Sequence, residues 1–192
     1  MERGYLTIGV NGKHGVAATT PENILLGAGT IHRGLTVGAD GKVTEYGTII
    51  GATSGGNSVE IKGEIVNIEL DGALVKVKGL AVMQGGTATM ECNFAEISEE
   101  VLKMGMIGSA ANGVITPKAN IEEGDYVPGF AFVGKTANGA KEVIVVFENA
   151  LCTSGIKIEG KAKENSVISL TMEAYAENEG NLDTIPVKII YA

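Results

Sequence analysis

Tryptophan is absent from this chain of 192 residues, and the aromatic complement is four phenylalanines and five tyrosines. Sites that bind sugars or bases by stacking on aromatic faces are therefore poorly provided for, and the core must rest on Val, Ile, Leu, Ala and Met. His14 and His32 are the only near-neutral bases. Neither lies in a local pattern that pairs a base with a nucleophile, and no Gly-x-Ser-x-Gly elbow occurs. Cys92 and Cys152 are the only cysteines. Two thiols in apolar surroundings do not make a disulfide framework and read as reduced, buried side chains. No stretch approaches the ~18 apolar residues of a membrane helix, and the opening MERGYLTIGV is too short and polar for a secretory signal. Basic residues are in deficit, 15 against 23 acidic, for a net charge of −8 and a pI near 4.8. That balance argues against a surface that grips nucleic acid by neutralising phosphates.

What the chain does have is hairpin punctuation. Asn-Gly or Asp-Gly pairs stand at positions 11–12, 40–41, 71–72, 112–113 and 138–139, most of them between apolar β-branched runs. A two-residue hairpin turn needs positive φ at both central residues, which these pairs supply at little steric cost. The expected class is mainly β, a sandwich or barrel of two packed antiparallel sheets with one short flanking helix. The length fits a single domain over residues 1–192, with 1–23 as an N-terminal arm. The mean hydropathy of +0.18 hints at apolar surface reserved for partners.

Along the chain, residues 5–10 read as a short strand and 24–35 as a longer one. Residues 36–57, rich in glycine and without alternation, read as a long protruding loop or hairpin. Over 58–70 the apolar set runs Val59, Ile61, Ile65 and then Val66, Ile68, Leu70, so its phase flips. A one-residue slip would turn every side chain to the wrong face, which predicts a bulge between Gly63 and Val66. Asp71-Gly72 is expected to turn the chain into a strand at 74–83, and Gly85-Gly86 to open another with Ala88, Met90, Cys92 and Phe94 facing inward. Ser98 caps the one credible helix, with Glu99 and Glu100 in its first turn and Gly105 or Gly108 as its stop. After a polar stretch to Asp125 come strands at 126–135 and 142–148. Val143 to Phe147 are apolar on both faces, as in a strand covered on each side. A strand starting at Ile156 and Ile158, one with Ile168, Leu170, Met172 and Ala174 inward, and a last one at 185–191 complete the pattern.

Three segments invite a chemical reading. Gly27-Ala28-Gly29 and Gly134-Lys135-Thr136 lack the spacing and the strand-to-helix context of phosphate loops. Glu122-Glu123-Gly124-Asp125 is acidic enough for a hard cation but lacks the complete calcium-loop pattern, so a solvated loop is expected. No catalytic residue, cofactor or metal is assigned.

The order PENILLGAGTIHRGL, GATSGGNSVEIKGEIVNIELDGALVKVKGL, ATMECNFAEISEEVLKM and FENALCTSGIKIEGKAKENSVISLTMEAYAE resembles the major tail tube proteins of tailed bacteriophages and prophages of Gram-positive bacteria. The resemblance covers about residues 21–192, without the additional immunoglobulin-like domain that some members carry. It implies a non-enzymatic virion protein, made in the bacterial cytoplasm, whose hexameric rings stack into a hollow tube. Its partners would be copies of itself, the tape-measure protein and the tail terminator and initiator proteins. DNA would pass through without specific binding, and no membrane would be involved. On this view Thr36, Val37, Val43, Thr44, Tyr46, Ile49 and Ile50 belong to a stacking arm ordered by a neighbouring subunit. Glu60, Glu64, Glu69 and Glu91 become candidates for the channel wall. The alternative is a ligand- or carbohydrate-binding β-sandwich module, which the scarcity of aromatics disfavours.

Overall fold

The computed structural model describes residues 16–160, 162, 163 and 165–192. A 3-10 turn at Thr20–Glu22 leads into β1 (Leu25–Arg33), three short strands β2 (Thr36–Val37), β3 (Val43–Glu45) and β4 (Thr48–Ile49), and the long β5 (Ser58–Asn67) and β6 (Ala81–Phe94). Helix α1 (Glu99–Met106) separates these from β7 (Gly108–Ala111), β8 (Val114–Pro117), β9 (Val127–Thr136), β10 (Glu142–Cys152), β11 (Ile168–Tyr175) and β12 (Val187–Tyr191). The protein is mainly β, with antiparallel sheets and one α-helix.

The principal sheet runs β4-β1-β9-β10-β11-β6-β5, with β12 also bonded to β10. Strand β10 is its hub. β9 pairs with it from Glu142 to Ala150, while its other edge is shared, Val143 to Phe147 with β12 and Asn149 to Cys152 with β11. Covered on both faces, Ile144 to Phe147 are all buried, as their unbroken apolar run requires.

Ile31 of β1, Phe130 and Phe132 of β9, Phe147 of β10, Leu170 and Met172 of β11, and Met90, Cys92 and Phe94 of β6 belong to one core cluster. Strands so far apart in the sheet share a core only if the sheet curls on itself. The segment after β4 ties its two ends: Ile49 pairs with His32, and four residues later Thr53 bridges to Phe94. Asn57 completes the tie. Its Nδ2 donates to the Ala28 carbonyl (2.9 Å) and to Thr53 Oγ1 (3.3 Å), and its Oδ1 accepts from the Asn93 amide (3.2 Å). On the opposite face of β9 and β10, Leu35, Ala131, Val133, Ile144 and Val146 form a second cluster, covered by Val37 and Val43 of the β2–β3 hairpin.

The helix begins as its sequence predicts, with Ser98 Oγ accepting the Val101 amide (3.2 Å). It stops elsewhere. Ile107 takes the left-handed conformation (φ 48°) at the C-cap, while Gly105 lies inside the helix, where a Cβ would sit 2.8 Å from Leu170 Cδ2. Glycine is needed there for close packing. Gly29 (φ 68°) is similarly constrained at the β1 bulge, where a Cβ would meet the Phe132 ring at 2.3 Å.

The register of β5 and β6 shifts between Gly63 and Ile65, where the flip in hydrophobic phase predicts a bulge. The extra residue lies on the partner strand: Gln84 and Gly85 stand opposite Glu64. Several expectations are corrected. Within residues 36–57, read as a long protruding loop or hairpin, β2 and β3 form a hairpin that lies against the sheet rather than protruding, and β4 joins the sheet beside β1. No strand covers 74–80; β5 and β6 pair directly, and 68–80 connect them. Ile156 and Ile158 precede β11 without strand structure, Ile156 being held as a partner of the core beneath α1. The polar stretch before Asp125 holds the β7–β8 hairpin, whose Asn112 (φ 52°) and Gly113 (φ 77°) both take positive φ. At the pairs 40–41, 71–72 and 138–139 only the glycine does. The segment 5–10, Asn11-Gly12, His14 and most of the arm at 1–23 lie outside the described residues.

Candidate assembly surface

The β11–β6–β5 portion of the sheet has two chemically different faces. Alternation turns Met90, Ala88, Val59 and Ile61 inward, and the register places Val59 opposite Met90 and Ile61 opposite Ala88. The outer face is polar in rows across the strands. Glu60, Thr89 and Glu173 stand side by side, as do Ser58, Glu91 and Thr171. In the next row, Ser169 donates to the Asn93 side chain. With Glu64 at the bulge and Lys62 the one cation of β5, this face carries an acidic excess.

The last pair between β11 and β6 is Glu173 with Thr89, and β5 and β6 continue beyond it as a two-stranded arm. A ribbon of two strands is marginal alone in water. On this arm the inward-phased side chains have outrun their core: Ile65 is 64% exposed and Met83 67%. Inside the arm the packing is local, with the Met83 sulfur filling the space where a Gly63 Cβ would sit and Ile185 lying over Gly86. The connecting loop adds exposed Ile68, Leu70, Val75, Val77 and Leu74, the last 99% exposed. Scattered apolar residues need no explanation on a protein surface; these are concentrated on one arm and the loop that joins its strands.

Of the four glutamates singled out from sequence, Glu60 and Glu91 share the outer face, Glu64 flanks them at the bulge, and Glu69 falls in the loop. Glu173 completes the face and was not singled out, although the alternation of Ile168, Leu170 and Met172 already turns it outward. The residues expected in a stacking arm are divided. Thr36 and Thr44 are exposed and linked through their hydroxyls (2.6 Å), Val37 and Val43 cover the second cluster, and Ile50 is core. Ile49 is exposed and paired with His32. Tyr46 donates its hydroxyl to Glu142 Oε2 (2.6 Å) and takes the His32 Nδ1–H on its carbonyl (2.9 Å). His32 is thus a buried strut.

Several further polar groups are tied up internally. The Tyr46 hydroxyl holds Glu142 below the usual carboxylate range against the opposing effect of burial, with Lys135 (3.2 Å) assisting. Burial acts to raise Asp125, yet Lys118 (2.8 Å) and the Glu122 amide together hold it low. Lys118 also pairs with Glu122 (2.7 Å), so the acidic loop supplies its own cation. A cleft between α1 and the end of β1 holds the Arg33–Glu100 ion pair (2.7 Å). Cys92 is buried, and that burial pushes its thiol strongly up. Among the described residues no three His, Cys, Asp or Glu side chains group as metal ligands, and no helix is long and apolar enough to cross a membrane. The chain matches no protein-family model and no curated protein sequence.

Proposed function

We propose that the protein is a structural, non-enzymatic subunit that assembles with copies of itself into stacked rings, forming the tube of a phage or prophage tail. One observation carries the reading: a polar, acidic sheet face is backed by an apolar face that extends past its own core. Burying the exposed parts of Ile65, Met83, Leu70, Leu74 and Val75 is worth on the order of 5–10 kcal/mol, from ~1.5–3 kcal/mol per fully buried side chain. That offsets much of the roughly 4–15 kcal/mol lost in association. The resemblance in motif order from residue 21 onward supports the specific assignment.

In such a tube the face bearing Glu60, Glu91 and Glu173 lines the channel. Like charge keeps the phosphate backbone off the wall, and mobile cations screen the repulsion within ~8 Å at physiological salt. DNA then slides without contacts to break one by one, the opposite of the Lys- and Arg-lined surfaces that hold nucleic acid. The tape-measure protein occupies the channel during assembly, terminator and initiator proteins meet the tube ends, and the mature location is the virion tail. Negative-stain microscopy and size-exclusion chromatography at rising protein concentration test the reading. Rings or tubes of uniform diameter are expected. A protein that stays monomeric throughout, crowded conditions included, overturns it.

A further inference from the structure

We infer that the outer edge of β5 in one copy adds to the outer edge of β12 in the next, head to tail. The inference rests on the self-assembly reading and names the contact that carries it. β5 ends the strand order and β12 is bonded only to β10, so among the described residues each offers an edge without a strand partner. Open edges of this kind are templates for pairing with another chain.

The two edges match in face and in charge. Val187 packs against the main core, so alternation puts Ile189 and Tyr191 on the same inward-phased face. Ile189 is nevertheless 61% exposed. It stands beside the buried Val145 and is bare because, among the described residues, no strand lies on the other side of β12. Joining β5 to β12 with these faces aligned sets Ile61 and Ile65 beside Ile189 and Tyr191. The opposite face of β12 presents Lys188, and that of β5 presents Glu60, Lys62 and Glu64, acidic on balance.

A β5–β5 contact sets one acidic face beside another, each copy bringing Glu60 and Glu64 against a single Lys62, and like charges across adjacent strands are destabilising. It also stops at two copies, whereas a contact between different surfaces repeats and closes into a ring when its rotation allows.

Single variants Ile65→Cys and Ile189→Cys, made separately and mixed under mild oxidation, test the contact. Both native cysteines are buried and stay out of the reaction. The expected result is a mixed disulfide dimer in the mixture and no disulfide dimer from either variant alone. Lys188→Glu in the Ile189→Cys partner should abolish the product, and Glu60→Lys with Glu64→Lys in the other partner should restore it. Homodimers of Ile65→Cys alone overturn the inference in favour of a two-fold contact. No mixed disulfide from variants whose parent still forms rings or tubes overturns the inference and leaves the self-assembly reading standing. A parent that forms neither overturns both.

Discussion

Asn57 is a single side chain that holds two ends of a curled sheet together, so its truncation should cost far more than its partial exposure suggests. Asn57→Ala removes the bonds to Ala28, Thr53 and Asn93 at once. At about 0.5–1.5 kcal/mol net for each bond, the loss is on the order of 2–4 kcal/mol, and the Asn93 amide is left without its acceptor. For a chain of this length that lowers the melting temperature by roughly 5–15 °C. Asn57→Asp separates the components. It keeps an acceptor for the Asn93 amide but turns a carboxylate oxygen toward the Ala28 carbonyl, so it should be at least as destabilising as alanine. Urea titrations would give the free energies, with an unchanged slope showing that the unfolded state is not the source. Losses below about 0.5 kcal/mol for both variants, within the range of an ordinary surface change, would refute the clasp.

Gly105→Ala should destabilise by about 1–3 kcal/mol through overpacking against Leu170, despite the better helix propensity of alanine; equal or higher stability in denaturant titrations would show that the contact relaxes freely. The Cys92 thiol, buried and strongly raised, should resist thiol reagents at pH 8 in the folded protein and react once it is unfolded. Asp125 and Glu142 have lowered pKa values, so each contributes stability above its unfolded value of about 4 that is lost as the pH falls through the folded value. Acid titrations of stability should fall below about pH 4, and Glu142→Gln should flatten that limb. Replacing Glu60, Glu91 and Glu173 together by lysine should create salt-sensitive DNA binding that the parent lacks; filter binding at two salt concentrations reads it, and strong binding by the parent would sink the channel-wall reading.

Elements whose local pattern and tertiary setting agree were legible before any coordinates. The alternation of Ala88 to Phe94 and of Ile168 to Met172 appears directly as buried and outward faces, and Ser98 caps its helix because the cap is a local device. The β5–β6 register shift could also be located, since a phase flip has few other solutions, although its extra residue proved to lie on β6. Segments decided by distant contacts were harder to read. Ile50 enters the core because the chain must cross between two ends of the sheet, a demand that its glycine-rich surroundings do not express. The apolar run from Leu74 to Met83 has the composition of a strand, but its first half finds no partner strand and stays a loop. Of the candidate surface, Glu60 and Glu91 followed from alternation, whereas the bared arm could be recognised only once β11 was seen to stop short of it.

The pairing of β1 with β9 has a consequence for how the chain is made. Their partnered residues lie about a hundred positions apart, as in the Thr30 hydroxyl bond to the Val133 carbonyl across 103 residues. At roughly 5–20 residues per second, a ribosome delivers β9 about 5–20 s after β1. During that interval most of β1 has no strand to lie against, β4 reaching only His32 and Arg33, and the middle of the sheet does not exist. Contacts of such range also slow folding once the chain is complete. Nascent copies crowded on one message therefore present open apolar edges to one another before any has a core, and yield in a host should depend on holdase chaperones more than on the stability of the finished subunit.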